Sequence, residues 1–368
     1  MSLAPQVSPH PLSVVASAHI ARSPVATASL SPVPDSASIA DAVRGQFECR
    51  LSLRHAGVQR VSLRYERLGA ATLPTVLVAG GISAGRHVAA GATFDAPGWW
   101  DAQVGTGRAL DPAHCSVLAI DWLGADGALD VPIDPADQAD AIAALLDALG
   151  IEVLEAFVGC SYGAMVGLQF GARHDARLRH LVAISGTHRA HPYASAWRAL
   201  QRRAIALGAL QCDERDGVVL ARQLAMLSYR TPEEFDARFG AAQVVVGRVR
   251  VAAEDYLDHV GDRHAARTTA TAFVRLSESI DLQDVAPENI RVATTVVAVA
   301  EDRLLPIEDA FTLVERLRTG APPRSPKLRV LRSRYGHDAF LKETDAIAGV
   351  LREALAATDV RGRCGAAA

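Results

Sequence analysis

A single serine lies between two glycines at the point where a buried strand passes directly into a helix. Residues 155–160 (EAFVGC) form the continuous apolar run typical of a buried parallel strand, and residues 162–174 have helical spacing. Ser161 stands between them, flanked by Gly159 and Gly163. So sharp a turn strains the serine backbone and leaves no room for flanking side chains, which explains the two glycines. The pattern predicts a hydroxyl lifted above a sheet, with the N-terminus of a helix directed toward it.

Apolar runs and helical segments alternate along most of the chain, as they do in proteins built on a parallel sheet with helices on both faces. The predicted strands follow an antiparallel hairpin within 47–69 and lie at 75–81, 116–122, 155–160, 178–186, 292–302 and 327–333. The predicted helices lie at 135–150, 162–174, 308–318 and 343–357. We therefore expect an α/β fold with a mainly parallel sheet.

One long segment interrupts this alternation. Residues 188–285 contain several helical patterns and no good strand, over a length too great for a plain loop. We interpret them as a helical cap, or lid, inserted between two strands of a core formed by 46–187 and 286–358. Residues 1–45 are rich in Ser, Ala and Pro, so we expect a disordered N-terminal tail, and we expect a flexible C-terminal tail at 359–368.

The residues around Ser161 predict a specific fold and chemistry. Gly-x-Ser-x-Gly between a strand and a helix is the nucleophile elbow of the α/β-hydrolase fold, in which the acid and the base follow the serine along the chain. The strand at 292–302 ends in Glu301 and Asp302, and the last strand is followed by His337 in a Gly-His turn. Neighbouring residues of an extended chain point to opposite faces, so only one acid can reach the imidazole. We expect Asp302 in that role, with Glu301 as the alternative.

Acyl transfer also needs hydrogen-bond donors for the oxyanion that forms on the attacked carbonyl. The backbone N–H of Tyr162, directly after the serine, is the first candidate. The second should come from the turn after the strand at 75–81, where Gly80 and Gly81 keep the backbone open. We expect the N–H of Ile82 to fill this place.

The composition argues against several other classes of protein. The net charge is −3 without a basic stripe, and only 5% of residues are aromatic, which disfavours nucleic-acid binding. The 5 cysteines are scattered and include no CxxC pair, which argues against a disulfide framework and a structural zinc site and favours a reducing cytoplasm. No apolar run approaches the roughly 20 residues that span a bilayer.

Other candidate sites are weaker. Cys160, next to Ser161, is best interpreted as a small buried apolar residue rather than a reactive thiol. His188 and His191 have a spacing that could bind a metal, but no third ligand is apparent. We expect neither a metal nor a permanently bound cofactor.

From about residue 75 to 355 the sequence resembles the homoserine O-acyltransferases of the α/β-hydrolase superfamily. The resembling stretches are APGWWDAQVGTGRALD, GCSYGAM, LARQLAMLSYRTPEEFDARF, YLDHVGDRHAART, AEDRLLP and YGHDAFL. The resemblance places the catalytic triad on Ser161, Asp302 and His337. It also implies substrate-binding roles for the side chains of Arg222, Tyr229 and Asp338.

The resemblance further implies acyl-CoA as cosubstrate, L-homoserine as acceptor, a place in methionine biosynthesis and dimers that pair through the cap. Arg222 can bind the carboxylate of an amino acid with two parallel hydrogen bonds, and Asp338 can bind its ammonium group.

Some parts of the sequence depart from the family pattern near the expected oxyanion hole and entrance. The turns GGISAGRHVAAG and GADGALDVPIDPADQ differ from the usual ones, as does the elbow itself. The donor therefore stays open between acetyl-CoA and succinyl-CoA, with Arg86 as a candidate partner for a succinyl carboxylate. Serine as acceptor, a capped esterase and a catalytically inactive binding protein are the alternatives.

Overall fold

The structure is a computed structural model that describes residues 29–30, 42–210, 213–320 and 325–356. Within these residues, nine strands form one sheet, and two more form a separate hairpin. The strands are β1 (Ser29–Leu30), β2 (Ala42–Leu53), β3 (Gly57–Leu68), β4 (Thr75–Ala79), β5 (Ser116–Ile120), β6 (Ala156–Cys160), β7 (His180–Ile184), β8 (Gln243–Val245), β9 (Arg248–Arg250), β10 (Ala293–Val299) and β11 (Lys327–Leu331).

The helices of the described residues alternate with the strands of the sheet, except in one segment. They are α1 (Pro135–Ala148), α2 (Tyr162–Arg173), α3 (Pro192–Leu210), α4 (Glu214–Tyr229), α5 (Pro232–Arg238), α6 (Ala252–Ala265), α7 (Ala270–Asp281), α8 (Ile307–Thr319), α9 (Ala339–Lys342) and α10 (Thr344–Ala356). Their order confirms the predicted α/β fold.

The sheet has the spatial order β1-β2-β3-β5-β4-β6-β7-β10-β11, and every pairing from β5 to β11 is parallel. The hairpin predicted within 47–69 is present as β2 and β3, whose pairing begins earlier, at Ala42. Parallel strands bring their carboxyl ends to one edge. The loops after β4, β6, β10 and β11 therefore meet there, and they carry the predicted triad, the predicted oxyanion-hole residues and Asp338.

Both faces of the sheet are covered by apolar side chains. Alternation along β4 sends Leu77 into the cluster that packs under α1, α2 and α8. Val76 and Val78 point the other way, into the cluster that includes residues of α10. Burial on both faces explains why these strands appear in the sequence as continuous apolar runs.

The segment between β7 and β10 is mainly helical. It contains α3 to α7, among which α4 packs against α3, α6 and α7 and also contacts the turn at 336–338. The exposed hairpin β8–β9 was not predicted. We call residues 188–285 the insertion.

Most of the two predicted tails lies outside the described residues. The exceptions at the N-terminal end are Ser29–Leu30, which pair antiparallel with Phe47 and Glu48, and the start of β2 at Ala42. The tail predicted at 359–368 lies entirely outside them.

Candidate active site

Ser161 occupies the sharp turn between β6 and α2. Its backbone has φ 55° and ψ −115°, a left-handed conformation that a residue with a side chain rarely adopts. The turn is held by hydrogen bonds from the N–H of Ser161 to the carbonyl of Ile184 (2.8 Å) and from the N–H of Gly163 to the carbonyl of Gly80 (3.0 Å). A Cβ on Gly163 would lie 2.1 Å from the carbonyl oxygen of Ala79. The close approach of the two chains therefore requires glycine there.

The structure brings Ser161, His337 and Asp302 together. The Nε2 atom of His337 lies 2.7 Å from the Ser161 Oγ, and its Nδ1 atom lies 2.7 Å from Oδ2 of Asp302. The other oxygen of Asp302 accepts hydrogen bonds from the N–H groups of Leu304 and Leu305, at 2.9 and 3.0 Å. The carboxylate is thus fixed by its own loop while it holds the imidazole in the tautomer that can accept the serine proton.

Glu301 is directed away from this arrangement. Its Oε2 atom accepts a hydrogen bond of 2.7 Å from the N–H of Ser333, in the loop after β11. Of the two adjacent acids, it is therefore Asp302 that faces His337. The strand ends at Val299, and a turn closed by the bond from the Asp302 N–H to the Val299 carbonyl (3.2 Å) directs the two side chains apart.

The imidazole of His337 is buried, with 4% of the residue exposed. Burial alone lowers the pKa of His337, but the charge and hydrogen bond of Asp302 and the charge of Asp338 outweigh it, so the net pKa is raised. The ring of Tyr229 lies 5.7 Å from the imidazole, between centroids. This environment gives a base whose charged form is stabilised once it has taken a proton.

The two backbone N–H groups predicted as oxyanion donors flank the serine. Tyr162 is the first residue of α2, so its N–H has no acceptor within the helix. Ile82 lines the same cavities as Ser161, and a Cβ on Gly81 would lie 3.8 Å from that of the serine. The Tyr162 side chain points into the core, where its hydroxyl lies 2.6 Å from that of Ser279.

Two cavities meet at Ser161 and His337, between the sheet edge and the insertion. Pocket A, of about 330 Å³, extends from these residues toward Arg64, Trp197 and Arg198. Pocket B, of about 350 Å³, has a lining of Trp99, Met226, Arg230, Val260, Arg263 and Phe340 on its own side. Both cavities are also lined by Ile82, Ser83, Arg222, Tyr229, His264 and Arg267. The hydroxyl is thus accessible from two directions.

The three predicted substrate-binding residues all line pocket B. Arg222 and Tyr229 lie two turns apart on one face of α4, and the guanidinium of Arg222 donates a hydrogen bond of 3.3 Å to the Ser83 hydroxyl. Asp338 follows His337 and is 7% exposed. Its Oδ2 atom lies 3.3 Å from an Nη atom of Arg230, a residue that the sequence analysis did not single out. Arg230 also pairs with Glu234, so Asp338 shares its cation.

The weaker candidates do not assemble into a second site. Cys160 is fully buried at the end of β6, and burial raises the pKa of its thiol, as expected for an inert apolar residue. His188 is buried and its pKa is lowered, mainly by burial. Within the described ranges, no group of three or more His, Cys, Asp or Glu side chains could hold a metal ion.

Arg86 lies beside Asp121 and is absent from the lining of either pocket. Its backbone N–H donates a hydrogen bond of 2.8 Å to the Asp121 carboxylate, and its guanidinium lies 3.9 Å from the same carboxylate. Arg64, paired with Asp121 at 3.0 Å, and the buried Arg198 are the arginines that line pocket A but not pocket B. Neither was found from the sequence, where a lone arginine in a strand or helix carries no signal of the cavity beside it.

Comparison with known proteins agrees with this fold. A family model described as the alpha/beta hydrolase fold matches residues 74–344. The chain is similar to a homoserine O-succinyltransferase from Xanthomonas campestris pv. campestris, with 61% identity over 338 residues, which cover 91% of this chain and 90% of the relative. The chain belongs to the homoserine O-acyltransferase family.

The chain is also similar to two other proteins with acyltransferase names. A serine O-succinyltransferase from Xanthomonas campestris pv. campestris (strain B100) is 31% identical over 336 residues, covering 76% of this chain and 87% of the relative. The crystal structure of a homoserine O-acetyltransferase from Bacillus anthracis superposes with a TM-score of 0.76 at 17% identity and covers 85% of this chain and 97% of that one. At that identity the structural likeness shows the fold alone.

None of the helices in the described parts of the chain is both long and apolar enough to cross a membrane.

Proposed function

We propose that the protein transfers an acyl group from an acyl-CoA to the hydroxyl of L-homoserine through an acyl-enzyme on Ser161. The observation that carries the proposal is the pair of 2.7 Å contacts linking Ser161, His337 and Asp302 at the junction of two cavities. Membership of the homoserine O-acyltransferase family, with 61% identity to a homoserine O-succinyltransferase, supports the choice of acceptor.

In the first half-reaction, His337 accepts the proton of Ser161 while the serine oxygen attacks the thioester carbonyl. The N–H groups of Tyr162 and Ile82 donate hydrogen bonds to the oxyanion of the tetrahedral intermediate. The carbon–sulfur bond then breaks, and the proton held by His337 passes to the departing thiolate. The products of this step are free CoA and an ester on Ser161.

In the second half-reaction, homoserine occupies the space that the thiol has left. Arg222 binds its carboxylate, Asp338 and the Tyr229 hydroxyl hold its ammonium end, and His337 takes the proton of its side-chain hydroxyl. Attack on the ester forms the acylated product, and the proton returns to Ser161. The ion pair of Asp338 with Arg230 holds the carboxylate in place until the ammonium group arrives.

We propose succinyl-CoA as the donor, because the relative with 61% identity is named for that transfer. The distal carboxylate of a succinyl group needs a cation within reach of Ser161. In pocket A, the buried Arg198 uses its Nε and Nη2 atoms for Asp281 and Ser195, and Arg64 is paired with Asp121. We place the succinyl chain in pocket A, beside Arg198, rather than beside Arg86.

We further propose that the insertion acts as a cap that limits access of water to the ester on Ser161, which favours transfer over hydrolysis. Pairing of two chains through this cap stays a prediction, to be measured by light scattering of the purified protein.

Serine is the second candidate acceptor, since a relative at 31% identity is named serine O-succinyltransferase. Serine is one methylene shorter, so its hydroxyl would fall short of His337 if Arg222 and Asp338 hold the two charged ends in place. The side-chain hydroxyl of homoserine reaches farther from the same anchors.

A thiol-release assay decides among these candidates when acetyl-CoA and succinyl-CoA are each combined with homoserine, serine or no acceptor. We expect rapid CoA release only with succinyl-CoA and homoserine together. Equal release without an acceptor would identify a hydrolase and contradict the proposal. Faster CoA release with serine than with homoserine would identify serine as the acceptor. Faster release from acetyl-CoA than from succinyl-CoA would identify acetyl-CoA as the donor.

A further inference from the structure

Two arginines at the end of α6 line pocket B, and neither has a partner of opposite charge among the described residues. Arg263 lies in the last turn of the helix, and Arg267 follows four residues later, just beyond its end at Ala265. Both are exposed to solvent and both contribute to the wall of pocket B, which also contains Ser161 and His337. The pair therefore stands where the reactive cavity meets the surface.

Two neighbouring arginines are already paired with carboxylates. Arg230 pairs with Asp338 and Glu234, and Arg215 pairs with Asp262. For Arg263 and Arg267, the described part of the chain offers no carboxylate within ion-pair distance.

Like charges are concentrated at this point instead. Partial burial of the Arg267 guanidinium and the charges of Arg222 and Arg263 lower its pKa. The pKa of His264, which lies between these groups, falls to about 3 because of burial and the charges of Arg222 and Arg267. Such a concentration of positive charge is unfavourable without an anion, so its presence at a cavity points to a ligand that supplies one.

The wall between these arginines and the serine is largely apolar. Trp99, Met226, Val260, Phe340 and Leu341 contribute to pocket B, whose volume is about 350 Å³. An extended chain with few charges fits this apolar part of the lining. The pocket thus combines a reactive end at Ser161, an apolar middle and a cationic rim.

Building on the function proposed above, we propose that Arg263 and Arg267 bind the phosphate groups of the CoA part of the acyl donor. The donor has the same order of chemistry as pocket B: a thioester, a long and mostly uncharged pantetheine arm, and a cluster of phosphates. Guanidinium groups bind phosphate oxygens with paired hydrogen bonds. A succinyl carboxylate lies too close to the thioester to reach an exposed rim, so the two anions of the donor occupy separate sites.

The test compares two donors that differ only in the phosphates. Steady-state kinetics are measured with succinyl-CoA and with the succinyl thioester of N-acetylcysteamine, which lacks the nucleotide. We expect Arg263→Gln combined with Arg267→Gln to raise the KM for succinyl-CoA about 10-fold to 100-fold, the loss of two charge-assisted contacts. The KM for the truncated thioester and for homoserine should change little.

Arg203→Gln is the matched control. Arg203 is an exposed arginine of α3 in the same insertion and is absent from the lining of pockets A and B. It should leave the constants for both donors unchanged. Arg263→Lys with Arg267→Lys should recover part of the loss, because charge is kept while the paired geometry is lost.

Calorimetric titration with CoA and with pantetheine tests the phosphate site independently of the proposed reaction, because it measures binding without turnover. Wild-type protein should bind CoA more tightly than pantetheine, and the double glutamine variant should bind the two alike. Weaker CoA binding in a correctly folded variant supports the site even if no acyl transfer is found. The same affinity for CoA in wild type and variant, no CoA binding by wild type, or equal losses with both thioesters would overturn it.

Discussion

At the scale of single residues, the site depends on charges placed around one imidazole. Asp302 lies 2.7 Å from Nδ1 of His337, and Asp338 adds a second negative charge nearby. Both raise the pKa of His337 against the opposing effect of burial. The two acids have different tasks, because Asp302 is fixed by its own loop whereas Asp338 lines the cavity.

Replacing Asp302 by Asn should lower kcat/KM about 10⁴-fold, because the amide would favour the wrong tautomer of His337 and would not stabilise its cation. Glu301→Gln is the control, since Glu301 bonds to the Ser333 N–H instead. Initial rates of CoA release give kcat/KM for both variants. A larger loss of kcat/KM in the Glu301 variant than in the Asp302 variant would indicate that Glu301, not Asp302, is the acid of the triad.

Asp338→Asn should change both the pH profile and the acceptor affinity. His337 must be neutral to accept a proton, so kcat/KM rises with pH through its pKa. Because the charge of Asp338 raises that pKa, its removal should move this rise to lower pH. The KM for homoserine should increase about 10-fold to 100-fold through loss of a charge-assisted contact. A rise displaced to higher pH, or an unchanged KM, would rule out the proposed role.

At the scale of elements, the site depends on the crossing of β6, α2 and β4 at the elbow. Ser161 has a positive φ, and the chain after it passes so close to β4 that the Gly163 N–H bonds to the Gly80 carbonyl at 3.0 Å. This local conformation is maintained by the packing of the elements around it, not by the preferences of the residues.

Gly163→Ala should lower the free energy of unfolding by about 3 kcal/mol, because the added methyl group would lie 2.1 Å from the backbone oxygen of Ala79. Gly349→Ala is the opposite case. Gly349 lies within α10, and a Cβ there meets nothing within 4 Å, so stability should rise by about 0.5 to 1 kcal/mol. Urea unfolding followed by circular dichroism gives both values. Equal effects in the two variants would contradict the steric argument.

Much of the element pattern could be predicted, because buried strands and amphipathic helices leave continuous or periodic apolar signals. The strand ends shifted by one to three residues, as at β10, predicted at 292–302 and present at Ala293–Val299. The hairpin β8–β9 was missed since its strands are three residues long and fully exposed. The pairing of Asp338 with Arg230 was missed as well, because contacts between distant segments leave no periodic pattern.

At the scale of the whole molecule, the two cavities exist because the insertion lies over the carboxyl edge of the sheet. Arg230, at the end of α4, joins Asp338 of the loop after β11, and the Thr231 hydroxyl donates to the Arg334 carbonyl. These contacts tie the insertion to the turn that carries His337. Ser161 therefore lies where parts of the chain that are far apart in sequence meet.

Loosening this connection should favour water as the acceptor. Arg230→Met keeps an apolar stem but removes the charge shared with Asp338 and Glu234. We expect the ratio of hydrolysis to transfer to rise several-fold, measured as succinate against O-succinylhomoserine by chromatography. Arg203→Met, on an exposed face of α3, is the control and should leave the ratio unchanged. An unchanged ratio in the Arg230 variant would show that the ion pairs of Arg230 do not limit the access of water to Ser161.

The most direct test of the central claim is intact-protein mass spectrometry after a rapid acid quench. Mixing with succinyl-CoA alone should add the mass of one succinyl group to the wild-type chain, on the peptide that contains Ser161, and adding homoserine should remove it within one turnover. The Ser161→Ala variant should show no adduct and at least about 10⁴-fold slower transfer. Transfer at the wild-type rate by the alanine variant, or a wild-type adduct that homoserine does not discharge, would contradict the acyl-enzyme route.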